Sequence, residues 1–399
     1  MQPSSENQTH FNYEPERYDW ESTPDELACA LELNTLSTFR TLFRWLRRKF
    51  RSFRSMMDAR MDDLDVVPES SAYLKERFLE HRLLLTPGME MSKLPPDVGI
   101  ITYFDKKYPE SLRELYTPPP VLYVRGDIEY NYSQSMSIVG SRTHSDYGRQ
   151  MTEHFGYQLA GWGFTIISGG ARGIDSLAHK AAINAGGRTI AVLGNGIDII
   201  FPKENEKLFG KIIEKGAIVS EFPIGTVPEK FNFPMRNRLI AALGRGTLIV
   251  EAPDISGALI TADLALQMGR EIFAVPGRIT DGRSRGTNKL IQDGAHIALD
   301  PSDIALRFGL TVIEGTVPDS GAIAEQLEGD ESLVYEVIGL EAKDTDQIVR
   351  EASLPAPRVL ASLLMLRTKG LIRELAGSRF VKPVGIMNLK NEETIDPNC

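Results

Sequence analysis

Gly163-Phe164-Thr165-Ile166-Ile167-Ser168-Gly169-Gly170-Ala171-Arg172-Gly173-Ile174-Asp175-Ser176-Leu177-Ala178-His179 is the stretch on which the fold turns. The apolar, β-branched run 164–167 predicts a buried strand, which stops at Ser168-Gly169-Gly170 before a helical pattern opens near Ile174. Glycines at such a turn allow positive φ and leave no side chain over the loop, so the amides of the helix N-terminus can face an anion. Arg172 adds a planar charge where a phosphate would sit. A single turn of this kind serves packing as readily as binding; repetition decides between the two.

The pattern does repeat. Strands are predicted at 137–139, 164–167, 189–193, 217–220, 247–251, 271–275 and 296–299, and helices at 146–160, 174–185, 204–214, 234–243, 257–268 and 288–292. The strands are short and apolar throughout, as when both faces of a parallel sheet are covered. Together they specify an α/β, Rossmann-like, doubly wound and mainly parallel sheet. Ligands on such sheets bind at the carboxyl ends of the strands. There the chain carries Gly140-Ser141-Arg142, Ser168-Gly169-Gly170-Ala171-Arg172, Phe201-Pro202-Lys203-Glu204-Asn205, Phe233-Pro234-Met235-Arg236-Asn237-Arg238 and Ser256-Gly257 with Thr261. Several glycine-bearing turns on one edge, with Arg142, Arg172, Lys203, Arg236 and Arg238, describe an anion-binding groove.

Outside this domain, expected at 95–310, the chain changes character. Residues 1–23 are polar and aperiodic and read as a disordered leader. Residues 24–94 read as a separate helical domain, in which Arg44, Arg47, Arg48, Lys49, Arg51 and Arg54 are interleaved with Trp45, Phe50 and Phe53. Basic residues among aromatics can bind nucleic acid, but a solvated helix face whose stems cover apolar neighbours is the commoner arrangement. The prolines between Pro95 and Gly126 mark an extended linker lying on the following domain. Residues 311–329 are a polar linker, 330–383 carry the three helices and hairpin of a winged helix, and 384–399 are a tail.

Composition narrows the function. With 42% hydrophobic residues a sizeable core is available, and the net charge of −9 argues against coating nucleic acid through bulk charge. Affinity for a polyanion must then come from a few arginines and amides in clefts. Only two cysteines are present, near opposite ends, so a disulfide framework is not indicated and a reducing cytoplasm is the simplest compartment. No apolar run approaches the roughly 20 residues that span a bilayer. Neither G-x-G-x-x-G after a strand nor a phosphate-loop G-x-x-x-x-G-K-[ST] occurs. No histidine pair has metal-ligand spacing. Asp175 and His179, four apart, read as an acidic helix start beside a buried histidine sooner than as an acid and base, and Glu251 as a strand-end hydrogen-bond partner. No catalytic residue, metal or cofactor is assigned.

Read in order, the turns resemble the DNA-processing protein A family, DprA or Smf. The resemblance rests on Gly140-Ser141-Arg142, on 168–175 with Ala178-His179, on Thr189-Ile190-Ala191-Val192-Leu193-Gly194-Asn195-Gly196, on Ser220-Glu221-Phe222-Pro223, on 233–238, on 256–262 and on Ala274-Val275-Pro276-Gly277. It implies an extended Rossmann fold that binds single-stranded DNA without hydrolysing it and loads the RecA recombinase in natural transformation, as a homodimer. Carried over by position, Arg142, Arg172 and Lys203 hold phosphates. Gly169, Gly170, Ser256, Gly257 and Thr261 supply amides and hydroxyls, Asn237 and Arg238 line the groove, and Gly140, Ser141, Ser168, Asn205 and Arg236 belong to the same rim. Phe201 stands where the family usually has tyrosine and retains a ring able to stack on a base. The C-terminal unit is similar to the family's winged helix, whereas 24–94, where the family often has a sterile-alpha-motif-like or helix-hairpin-helix domain, shows no clear Gly-x-Gly hairpin and fits at best a degenerate SAM-like domain. Two rivals remain. One is a nucleotide phosphoribohydrolase-like enzyme of the lysine-decarboxylase-like type, whose glutamate has no counterpart after 256–262. The other is a duplex-DNA regulator reading through 356–369 with Arg358, Arg367 and Lys369.

Overall fold

The computed structural model describes residues 22–310, 327, 329–338, 343–369, 371–375 and 378–381. The expected leader and tail, apart from residues 22 and 23, lie outside them, as does the linker at 311–329 apart from 327 and 329. The chain divides into two compact units, Met1–Leu299 and Asp300–Cys399.

The first unit is built on a nine-stranded sheet in the order β1-β2-β6-β5-β4-β3-β7-β8-β9. Its strands are β1 (Gly99–Thr102), β2 (Val121–Gly126), β3 (Ser135–Val139), β4 (Thr165–Ser168), β5 (Thr189–Val192), β6 (Ala217–Ser220), β7 (Gly246–Ile249), β8 (Glu271–Ala274) and β9 (His296–Ile297). From β6 through β9 every pairing is parallel. Residues in β3 to β7 are buried without exception, their serines and threonines included, as expected where both faces of the sheet are covered. The proline-rich segment is where expectation and structure part. It is no linker: β1 and β2 pair antiparallel, and β2 pairs antiparallel with β6, Tyr123 opposite Ser220. Prolines flank these strands without entering them, so no ladder donor is lost.

Helices α6 (Asp146–Gly161), α7 (Ile174–Asn184) and α8 (Glu206–Lys215) pack side by side, while α9 (Asn232–Leu243) packs on α10 (Gly257–Gln267) and on the short α5 (Glu110–Arg113). After β3 the chain winds outward through β4, β5 and β6, then returns to the opposite flank of β3 as β7. Neighbouring β3 and β7 thus send their connections in opposite directions, and a crevice opens at their carboxyl ends.

The segment 24–94 is not a separate body. Helices α1 (Pro24–Thr35), α2 (Ser37–Lys49), α3 (Phe53–Asp58) and α4 (Ala72–Arg82) belong to the first unit and share its core. Phe39, Leu42, Phe43 and Leu46 recur at helical spacing on the buried face of α2. Phe43 stacks on Phe53 at 5.8 Å and meets Tyr103, just past β1, edge-on at 5.3 Å. Asn34 Nδ2 donates to the Glu221 carbonyl at the end of β6 (3.1 Å). The basic cluster of α2 and α3 is turned to packing and to ion pairs within the segment. Arg44 lies over Trp45 (3.6 Å) and Tyr116 (4.7 Å), Arg47 lies over Tyr103, Lys49 pairs with Asp65, and Arg54 pairs with Asp25 and Asp58.

In the second unit, after α11 (Arg285–Gln292) closes the first and α12 (Pro301–Arg307) opens the next, α13 (Asp330–Val337), α14 (Thr345–Ala352) and α15 (Ala356–Thr368) pack with a three-stranded sheet ordered β10-β12-β11. Those strands are β10 (Lys343–Asp344), β11 (Arg373–Leu375) and β12 (Arg379–Val381). Val334, Ile348, Val359, Leu363, Leu366 and Phe380 form its own core. This is a winged helix. The break between units falls after Leu299, ahead of the boundary expected at 310.

Candidate functional site

A cleft of about 470 Å³ lies at the β3/β7 switch point. Of the residues expected at the rim, Gly140, Ser141, Arg142, Arg236, Asn237, Ser256, Gly257 and Thr261 line it, joined by Lys230 and Phe233, which were not expected. The loop carrying Arg142 is fixed on three sides. Ser141 N donates to the Glu251 carbonyl (2.7 Å), Ile174 N donates to the Ser141 carbonyl (3.2 Å), and Thr143 N donates to Ser141 Oγ (3.1 Å). That anchorage presents the exposed Arg142 guanidinium over the Phe233 ring at 5.2 Å. Among the described residues Arg142 has no ion-pair partner. On the opposite wall Ser256 Oγ caps α10 by accepting from Ala258 N (3.2 Å), and Asn237 Nδ2 ties α9 to α10 through the Gly257 carbonyl (3.2 Å). Thr261 donates to that same carbonyl at 3.3 Å.

The glycine turn after β4 serves a different purpose from the one its sequence invites. Its amides do hold an anion, but the anion is the chain's own: Asp175 Oδ2 accepts from Gly169 N (3.1 Å) and Ala171 N (3.4 Å). Arg236 donates to the Gly169 carbonyl (2.8 Å) and to the Val192 carbonyl, so one glycine, through its amide on one side and its carbonyl on the other, bridges carboxylate and guanidinium. A Cβ at Gly169 would meet Asp175 Oδ2 at 2.6 Å and Arg236 Nη2 at 2.7 Å, and this is what requires glycine there. Burial pushes the Asp175 carboxyl up, against the pull of Arg236, and lowers Arg236 to about 10, against the pull of Asp175.

Several expected contacts are therefore corrected. Arg236 reaches the cleft wall with its guanidinium committed to two carbonyls. Gly169 and Gly170 are buried, and the Gly170 carbonyl accepts from Asn205 Nδ2 (2.9 Å), which also donates to Ser176 Oγ (2.8 Å). Asn205 is thus a buried strut rather than a rim contact. Ser168 Oγ is buried and donates to the Ile138 carbonyl (2.7 Å). Arg238 turns away from the cleft into an ion pair with Glu221, itself buried beneath α1 and α2. Arg172 is exposed and paired with Glu204. Lys203 is exposed and has no ion-pair partner among the described residues, but it does not line the cleft. Phe201 is exposed, its ring 5.9 Å from Phe233, so that Arg142, Phe233 and Phe201 form a cation and two rings in succession.

The carboxylates nearest the cleft each hold a backbone amide. Glu251 Oε2 accepts from Ser145 N (2.8 Å) at the start of α6, the strand-end role its position suggests. His179 does not face Asp175 as a proton partner. Its Nδ1 lies 2.7 Å from Thr189 Oγ1, whose own proton goes to the Ile166 carbonyl, so Nδ1 carries the hydrogen. Burial, with the charge of Arg236, lowers its pKa to about 3. Among the described residues no cluster of His, Cys, Asp or Glu is arranged to hold a metal, and no helix is long and apolar enough to cross a membrane.

Phe233 stood inside a quoted motif, yet nothing in one sequence says that its ring would lie beneath Arg142. Lys230 precedes that motif in an aperiodic loop and carried no signal at all.

Comparison with known proteins places this geometry. Residues 99–309 match the family described as DNA recombination-mediator protein A, and residues 318–378 match the DprA winged helix domain. Protein Smf of Escherichia coli is 39% identical over 289 residues, 71% of this chain and 77% of that protein. DNA processing protein DprA of Bacillus subtilis is 41% identical over 52% of this chain and 70% of its own length. The crystal structure of DprA from Streptococcus pneumoniae superposes with a TM-score of 0.60 at 31% identity, covering 72% of this chain and 98% of that one. From the switch-point cleft to the winged helix, this chain belongs to the DNA-processing protein A family, DprA or Smf.

Proposed function

We propose that the cleft is a static cradle for the sugar-phosphate chain of single-stranded DNA, in which no bond is made or broken. The observation that carries the reading is the contrast among the rim cations: Arg142 stands over Phe233 without a carboxylate partner among the described residues, while Arg172 and Arg238 are each held by a glutamate. An unpaired guanidinium gives a charge-assisted bond to phosphate without first losing one to a carboxylate. Exposed Lys230 adds charge at the cleft itself, and Lys203, also exposed, follows Phe201 by two residues. Phe201 and Phe233 offer π-faces to unstacked bases, which a duplex does not present.

Contacts to phosphate carry no base information, so binding is sequence-independent and weakens with salt, by a slope of roughly −0.7 per phosphate neutralised on a single strand. Asp175 Oδ2 and Glu251 Oε2 both accept from backbone amides, a structural use of these carboxylates that supports binding over hydrolysis. Membership of the family extends the reading to a role in natural transformation and recombination. In that role a cytoplasmic homodimer protects incoming strands and loads RecA; two linked sites raise the avidity of one modest cleft.

The test is a fluorescence-anisotropy salt titration with single-stranded and duplex oligonucleotides, on the natural protein and on Arg142→Ala and Lys203→Ala. Preference for the single strand, with loss in Arg142→Ala, is expected. Equal affinity for both forms, or no loss in either variant, sinks the cradle. Release of free base from nucleoside monophosphates would instead support the phosphoribohydrolase reading.

A further inference from the structure

The third helix of the winged-helix unit turns an apolar face outward where a duplex reader needs cations. On α15, Val359, Ser362, Leu363 and Leu366 are buried in the unit itself. Leu360, Leu364 and Met365 lie on the other side with 53%, 54% and 47% of their surface exposed. Helical spacing groups them with Ala361 in one stripe. The cations that would mark a reading helix are spent. Arg358 is gripped by both oxygens of Asp330, Lys369 Nζ is 2.5 Å from Glu331, and Arg367 pairs with Glu374. Each would have to abandon a carboxylate before meeting a phosphate, and the leucines would still be set against a wet, charged surface.

We propose that this face docks an amphipathic helix of another protein, apolar and uncharged on the side it presents. Two observations select that occupant. The first is charge: the cations of α15 are already neutralised from within the unit, so a charged partner gains nothing and an apolar one incurs no desolvation of free ions. The second is area. Three half-exposed side chains and an alanine offer roughly 300 Å², the size of a typical functional patch, whereas each subunit of a stable dimer buries about 800 Å². A second copy of this chain meeting itself through α15 has too little to hold. Three or four anchors at i, i+3, i+4 and i+7 are instead what a single docked helix uses.

The test uses the full chain and a fluorescein-labelled alanine-based peptide of about 16 residues, long enough for measurable helicity, with leucines at i, i+3, i+4 and i+7; its scrambled counterpart is the control. The striped peptide is expected to bind at least about tenfold more tightly than the scramble. Leu360→Asp with Leu364→Asp should lower that affinity about tenfold, the milder Leu364→Ala severalfold, and Arg358→Ala by less than about twofold. Three results overturn the proposal. One is equal binding of striped and scrambled peptides, or no effect of the leucine variants. Another is a tenfold loss of duplex-oligonucleotide affinity in Arg358→Ala with Arg367→Ala. The last is conversion of a dimer to a monomer by Leu364→Asp in sedimentation, which would make a second copy the occupant.

Discussion

Two turns at the same edge of the sheet look alike on paper and differ in the molecule. The turn after β4 is the more glycine-rich and was the natural candidate for a phosphate, yet its amides close around Asp175. The turn after β3, with a single glycine before Ser141 and Arg142, carries the cation left free. An anion site built from backbone amides can be filled from within the chain, and then it becomes a fastening that fixes where its neighbours stand. Asp175 and Arg236 pin the β4 turn from the two sides of Gly169, and the Arg142 loop is hydrogen-bonded against it at Ile174.

The comparison breaks first at Asp175. Removing the carboxylate strips the Gly169 and Ala171 amides of their acceptor and buried Arg236 of a compensating charge, so Asp175→Ala should lower unfolding free energy by about 3–5 kcal/mol, read by urea denaturation. A loss under about 1 kcal/mol would mean that the turn is not self-filled. Its neighbour His179 gives a pH signature. With a native pKa near 3 against 6.5 unfolded, the unfolded chain binds more protons below about pH 6.5. This contribution is therefore complete above pH 6.5 and falls away with acid, at up to about 1.4 kcal/mol per pH unit. His179→Asn should flatten the slope measured between pH 4 and 6.5, and an unchanged slope rules the histidine out as its source.

Arg142→Ala tests the open side: about a 10- to 100-fold weaker grip on single-stranded DNA, with a melting temperature unchanged within a few degrees. Loss of stability in step with loss of binding would show that both turns are structural. A finer distinction comes from Arg172. Held by Glu204, it should contribute less than about twofold to binding when replaced by alanine, whereas Glu204→Gln should free it and strengthen binding severalfold. The smallest effect is expected at Lys230→Ala, about a twofold loss with a slightly shallower salt dependence.

The strands and the switch point were legible because burial on both faces leaves apolar runs such as Ile190-Ala191-Val192-Leu193, and because glycine-bearing turns punctuate them. What was not legible is who answers each charge. Arg142, Arg172 and Arg238 are indistinguishable as letters, and their fates rest on Glu204 and Glu221, 32 and 17 residues from Arg172 and Arg238. The antiparallel strands β1 and β2 were hidden by prolines that flank them. The helical segment ahead of them read as independent because periodicity reports a buried face without naming what covers it.

That last point has a practical side. Phe43 against Tyr103, Asn34 on the Glu221 carbonyl and Arg40 over Phe222 stitch the opening helices to the antiparallel margin of the sheet. They are a lid soldered to its box. Fragments trimmed near residue 95 should come out insoluble rather than minimal, and grafting this front end onto a relative would require carrying the margin of the sheet along with it.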